Sequence, residues 1–159
     1  GNGQRLEAEG LVQENENTEA QKVVQLTYDI KGNDFNVAGR ATEQAKKVLK
    51  QIGIDSSIVR RVSIAAYEAE MNVVIHASSG KLTFNIAPVS IEIIADDVGP
   101  GIADVEKALQ EGYSTAPDRI RELGFGAGMG LPNMRRFSDN FKIESIVGKG
   151  TKVSMQINL

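Results

Sequence analysis

The sequence predicts an α+β domain, a two-layer α/β sandwich in which a mixed, mostly antiparallel sheet is covered on one face by helices. Three observations carry this expectation. Strand-like runs come in adjacent pairs, two long helical stretches stand together ahead of most of them, and glycine-rich turns separate pieces of sheet from short helices. With 159 residues, 41% of them hydrophobic and 25% charged, the chain has the size and composition of one globular domain.

Residues 1–21, GNGQRLEAEGLVQENENTEAQ, hold five glutamates and one arginine, a local charge of −4 in a chain whose net charge is −3. Having little to bury, this acidic leader is expected to stay flexible or to be in part a cloning remnant, with the domain running from 22 to 159. KVVQLTYDI (22–30) alternates well enough for a strand, and KGNDF turns the chain. Residues 36–52 read as a helix closed by Gly53. Asp55 or Ser56 then caps a longer one, SIVRRVSIAAYEAEMNVVIHAS, stopped at Ser79-Gly80. KLTFNIA and VSIEIIA, with Pro88 between them, give a hairpin, and ADVEKALQ and GLPNMRRFSD give short helices. FKIESIV, the turn GKG and TKVSMQINL form a closing hairpin.

Composition excludes several function classes. No apolar run approaches the roughly 20 residues of a membrane span, and the N-terminus lacks the regions of a signal peptide, so a cytoplasmic location without membrane contact is expected. The absence of cysteine removes disulfides and thiolate metal sites. Beyond the leader the chain carries a net charge of only +1 and no basic stripe with interleaved aromatics, which gives nucleic-acid binding no support.

The long second helix carries the first chemistry. At about 100° per residue, Ile58, Val62, Ala65, Ala69 and Val73 form one apolar stripe, while Tyr67, Met71 and Val74 form another nearly opposite. Such a helix is covered on two sides. Glu68, Asn72 and His76 recur at i, i+4 and i+8 along one edge of the first stripe, where polar groups are costly unless something satisfies them. An isolated E-x-x-x-N fits equally well with side chains that bond loop backbones. Glu70 falls on the far side from Glu68 and is expected at the surface.

Residues 96–131 hold seven glycines, six of them in two clusters. In DDVGPGI, Asp97 follows a strand and precedes Gly99 and Gly101, whose lack of side chains permits close backbone approach to a ligand. A carboxylate there suits an exocyclic amine such as that of adenine. GFGAGMGL places Gly124, Gly126, Gly128 and Gly130 just before a helix, so that free N–H groups and the positive end of the helix dipole face an anion such as phosphate. Either cluster alone is equally ordinary turn geometry; their order, E-x-x-x-N, then D-x-G-x-G, then G-x-G-x-G, then G-x-G-T, is what points to a nucleotide.

Other phosphate-binding schemes fit poorly. The chain has no G-x-x-x-x-G-K-[ST] loop, no H-R-D or D-F-G element, and no early glycine turn of Rossmann type. One histidine and no cysteine leave little for a zinc site or a Ser-His-Asp triad.

The ordered motifs resemble the N, G1 and G2 boxes of the GHKL superfamily, whose Bergerat ATP-binding fold is shared by gyrase, Hsp90, histidine kinases and MutL. The resemblance covers roughly residues 36–158. Within the superfamily, YEAEMNVVIHA, DDVGPGI, EGYSTAP and GFGAGMGLPNMRRFSD are most similar to the bacterial anti-sigma factor serine/threonine kinases, the switch kinases of partner-switching modules. That resemblance implies ATP or ADP and Mg²⁺ as ligands, with Asn72 binding the Mg²⁺ that bridges the phosphates and Glu68 as the general base. It implies that Asp97 recognises the adenine amine, that Gly99 and Gly101 shape its pocket, and that Thr151 adds a hydroxyl. Residues 112–127 become a lid that closes over the nucleotide, and Gly126, Gly128, Met129 and Gly130 line the phosphates.

The family often has a basic residue before the last G-x-G of the lid, where this chain has Gly126-Ala127, so Arg119 or Arg121 is the candidate for that charge. His76 matches a common family histidine and reads as a packed helix-end residue. The implied partners are an anti-sigma antagonist or STAS-type protein as substrate and a sigma factor or other regulator as a binding partner, with homodimer pairing left open. Two further readings stand beside the kinase: a nucleotide-gated binding switch without turnover, and a detached histidine-kinase-like ATPase domain.

Overall fold

A computed structural model describes residues 4–6, 10–15, 23–112 and 130–159. Strands β1 (Gln4–Leu6), β2 (Gly10–Asn15), β3 (Val23–Lys31), β4 (Ser79–Ile86), β5 (Ser90–Val98), β6 (Asn140–Ile146) and β7 (Gly150–Asn158) make one sheet in the order β1-β2-β3-β4-β5-β7-β6. Every neighbouring pair is antiparallel, so the mixed, mostly antiparallel sheet expected from sequence is antiparallel throughout the described residues. Helices α1 (Arg40–Gln51), α2 (Ser56–His76), α3 (Val105–Ala108) and α4 (Gly130–Arg136) complete the fold.

Alternation along the strands decides which face is covered. Leu26, Tyr28 and Ile30 of β3, Leu82, Phe84 and Ile86 of β4, Ile91, Ile93 and Ala95 of β5, and Val153, Met155 and Ile157 of β7 are all buried. Their neighbours in sequence, such as Thr27, Thr83, Ile94 and Ser154, line the opposite face, because side chains point alternately to the two sides of a strand. Leu49 of α1, Val62, Ala66, Ala69 and Val73 of α2, and Met134 of α4 close over the apolar face. The alanines on α2 let the helix lie close to the sheet, and Tyr28 meets Phe84 edge-on at a centroid distance of 6.0 Å.

Three local expectations change. Part of the leader expected to be flexible is strand: β1 pairs with β2, and Leu11–Asn15 runs against β3 from Thr27 back to Val23. The edge of β3 away from β4 offers N–H and C=O groups that β2 pairs with. Helix α1 begins at Arg40 and not at 36, because a 3₁₀ turn at Phe35–Val37 leads into Gly39 at φ +93°, a left-handed conformation that a helix cannot continue through. Ser79 and Gly80, read as a helix stop, already belong to β4; α2 ends at His76 because Ala77 is extended.

Candidate functional site

The site is built where α2, the end of β5 and the β6–β7 turn converge. Asp97 stands at the end of β5, half-buried, and its Oδ1 accepts a hydrogen bond of 3.0 Å from the Thr151 amide of β7. Among the described residues its Oδ2 has no donor. Burial pushes the Asp97 carboxyl pKa above the usual aspartate value, with the Thr151 amide opposing the shift and the Asp96 charge adding to it. Thr151 is buried, and its hydroxyl lies 2.9 Å from the Ser145 hydroxyl of β6, which in turn accepts from the Ile102 amide at 2.7 Å. These bonds tie the loop after β5 to the last hairpin, and Ser145 is a member that the motifs did not point to.

The glycines of D-x-G-x-G have a structural task here. Gly99 donates to the Lys149 carbonyl at 3.0 Å, and Gly148 donates to the Pro100 carbonyl at 2.8 Å, so the loop lies flat against the β6–β7 turn. A Cβ on Gly101, at φ +74°, would stand 2.4 Å from the Ile146 carbonyl oxygen. One on Gly150 would stand 2.0 Å from the carbonyl oxygen of Asp97 itself. Close approach of backbone to backbone explains both positions, and it is also what holds the Asp97 carboxylate at the sheet end.

On α2, Glu68, Asn72 and His76 share one half-buried edge, as their spacing predicts. The Glu68 Oε1 accepts from Asn133 Nδ2 of α4 at 3.3 Å. A side chain at Gly130, the first residue of α4, would begin 3.6 Å from the Glu68 Oε2. Burial lowers the His76 pKa, which keeps the imidazole neutral near pH 7. Asn133 is a second residue that motif reading missed, because a position inside the short helix after a glycine cluster carries no spacing signal. Gly126, Gly128, Met129, Arg119 and Arg121, together with nearly all of the lid at 112–127, lie outside the described residues.

Glu70 corrects the sequence reading. It is only 2% exposed, and its carboxylate accepts hydrogen bonds from Gly39 N at 2.8 Å, Ala41 N at 3.3 Å, Thr42 N at 2.9 Å and Thr42 Oγ1 at 2.7 Å. Its place opposite Glu68 was read correctly; that side is covered by α1. Next to it, a cavity of about 710 Å³ opens between the α1 entry (Val37, Ala38, Gly39) and the α2 face bearing Ser63, Tyr67 and Glu68.

The donor set suits a magnesium ion carried by phosphates. Among the described residues no three acidic or histidine side chains cluster as a cage, while Asn72 offers one hard oxygen a turn away from the Glu68 carboxylate. Mg²⁺ commonly keeps waters and takes only one or two protein oxygens when a nucleotide supplies the rest. Asn72 would hold it there.

The antiparallel sheet covered on one face by helices is the frame of a known class of domain: the chain belongs to the histidine kinase-like ATPase domain family, whose model matches residues 32–157. Its relatives narrow the class. It is similar to the serine/threonine-protein kinase RsbT of Bacillus subtilis (strain 168), 30% identical over 117 residues that make up 71% of this chain and 82% of RsbT. It is also similar to the anti-sigma F factors of Clostridium acetobutylicum, 36% identical over 102 residues, and Caldanaerobacter subterraneus subsp. tengcongensis, 38% over 101. These alignments take in 60% and 59% of this chain and 66% of each relative.

Proposed function

We propose that this chain is an ATP-dependent serine/threonine kinase of the anti-sigma regulatory type, phosphorylating an antagonist protein in a partner-switching module. The observation that carries the reading is the setting of Glu68, half-buried beside the side-chain-free start of α4 and at the end of an open cavity. Nucleotide binding alone asks only for Asn72, Asp97 and the glycine turns. A carboxylate that lines an open cavity serves a reaction with something that arrives from outside.

The roles follow from position. Asp97 accepts from the adenine amine through the oxygen that Thr151 leaves available, and the Thr151 hydroxyl lies beside it. Asn72 would hold Mg²⁺, which would supply charge neutralisation on the phosphates. Glu68 takes the proton from a serine or threonine hydroxyl as its oxygen bonds to the γ-phosphorus; the bond from that phosphorus to the bridging oxygen breaks, and ADP leaves. Asn133 orients Glu68 through its amide. Gly126, Gly128, Met129 and Gly130, with Arg119 or Arg121, complete the phosphate side. The substrate is an antagonist of STAS type, a sigma factor or other regulator is the alternating partner, and the setting is the cytoplasm. Among the described residues no helix is long and apolar enough to cross a membrane.

A second reading is nucleotide-gated binding without turnover, in line with the sigma-directed role that the names of the anti-sigma F relatives state. Incubation with γ-labelled ATP and Mg²⁺ beside antagonist proteins encoded nearby separates the two. Label on a serine or threonine of one of them supports the kinase; complex formation without label supports the switch.

A further inference from the structure

Glu70 has no part in the scheme above, yet among the described residues it is the one buried acidic or basic side chain. Helix α1 explains what it does. An α-helix leaves its first N–H groups without partners, and a Ser, Thr, Asp or Asn at the N-cap ordinarily satisfies one of them. Gly39 occupies that position here and has no side chain to offer. The Glu70 carboxylate replaces the missing cap from another helix, taking the amides of Gly39, Ala41 and Thr42 and the Thr42 hydroxyl. Its charge also sits at the positive end of the α1 dipole, where charge-assisted bonds are strongest.

The consequence reaches the site because of helical phase. Glu68 and Glu70 are two residues apart, so they leave α2 on nearly opposite sides, one toward the start of α4 and one toward the start of α1. The segment that Glu70 holds, Gly39–Thr42, gives Gly39, Arg40 and Thr42 to one wall of the 710 Å³ cavity, and Tyr67 and Glu68 lie on the other. Gly39 is fitted closely to that opposite wall, since a Cβ on it would stand 3.2 Å from the Tyr67 ring. One turn of α2 therefore carries both the base and the latch that sets the width of the approach to it.

We propose that Glu70 is a positioning residue: its buried carboxylate fixes the α1 wall of this cavity relative to Glu68, and so shapes the surface that receives the protein substrate beside the base. The proposal rests on the kinase reading. It separates Glu70 from the nucleotide, which is bound by other elements, and makes it a determinant of protein-substrate recognition.

The test uses Glu70→Gln, Glu70→Ala and Thr42→Val, the last removing one hydrogen bond at nearly constant shape. Calorimetry with Mg-ATP and steady-state phosphorylation of the STAS-type antagonist encoded nearest to this chain are measured well below each variant's melting temperature. Mg-ATP affinity and kcat are expected to stay within a few-fold of wild type, while KM for the antagonist rises about tenfold or more in Glu70→Ala, equivalent to ~1.4 kcal/mol. Thr42→Val moves in the same direction by less. Amides of Gly39, Ala41 and Thr42 should exchange hydrogen faster in all three variants. KM unchanged in Glu70→Ala and Thr42→Val despite a lower melting temperature, or a fall in kcat at constant KM, overturns the proposal and leaves Glu70 as a helix cap. Should the wild type transfer no phosphate, the kinase reading fails and not the latch; the dissociation constant for the same antagonist, taken with Mg-ADP bound, then replaces KM under the same criterion. If Glu70→Ala does not fold, the other two variants decide.

Discussion

Three polar residues within five positions of α2 have three different fates, and the difference shows how far single residues can be read. Glu68 and Asn72 share an edge because i and i+4 must, and that much follows from the sequence. Glu70 was placed on the correct side and given the wrong environment. The signal was present: Tyr67, Glu70, Met71 and Val74 follow i, i+3, i+4, i+7, so Glu70 borders the second apolar stripe, and helix α1 arrives with glycine where its cap should be. Ser145 and Asn133 gave no such signal, since their roles arise only when distant segments meet.

The place of Asp97 at the end of a strand was legible from the glycines after it, and its charge can be tested directly. Because burial raises its pKa above the 3.8 of an ordinary aspartate, the carboxylate protonates at a higher pH than usual on acidification. ADP affinity should therefore begin to fall at a pH above that value in the wild type, and this component should be missing in Asp97→Asn. At neutral pH the variant should bind ADP at least about tenfold more weakly, equivalent to ~1.4 kcal/mol, and lose preference for adenine over guanine. Titration calorimetry across pH checks both; equal adenine and guanine affinity in the wild type would remove Asp97 from adenine recognition.

Elements were more legible than their ends. The strand pairs, both long helices and both hairpins follow from period and turn residues, because burial on one face leaves its mark at every second or every third to fourth position. Boundaries failed where a backbone angle decided, as at Gly39. The pairing of Leu11–Asn15 with β3 could not be read, because LVQEN carries no alternation and the charge of the leader pointed to little burial. The loop after β5 and the β6–β7 turn were each read as turns, but their contact with one another could not be. That contact predicts that Gly101→Ala, forced to φ +74° with a Cβ 2.4 Å from the Ile146 carbonyl oxygen, loses roughly 1–3 kcal/mol of stability without any nucleotide present. Thermal unfolding of the apo protein measures it. A variant that melts like wild type and only loses nucleotide affinity would assign the glycine to the ligand.

In the whole molecule, the sheet and its helical layer bring the Glu68 edge, the Asp97 end of β5 and the last hairpin together from segments far apart in sequence. The kind of fold was readable; which loop would touch which was not. The single histidine offers a check on the packing of this arrangement. His76 is neutral in the fold because burial lowers its pKa below 6.5, whereas the unfolded chain takes up a proton near that value. The unfolded state then binds more protons, so stability should decline as pH falls from about 6.5 through the lower folded value. That decline should be absent in His76→Gln, as urea titrations across pH would report.

The claim on which the rest depends is that Glu68 performs chemistry and Asn72 holds the metal one turn away. Single-turnover transfer from Mg-ATP to the antagonist, measured for wild type, Glu68→Gln and Asn72→Ala with nucleotide affinity in parallel, tests it most directly. Glu68→Gln should bind Mg-ATP as the wild type does and transfer roughly 10²–10⁴-fold more slowly, the cost of a lost general base. Asn72→Ala should lose Mg-dependent affinity and transfer together. Transfer by Glu68→Gln at the wild-type rate would contradict the account.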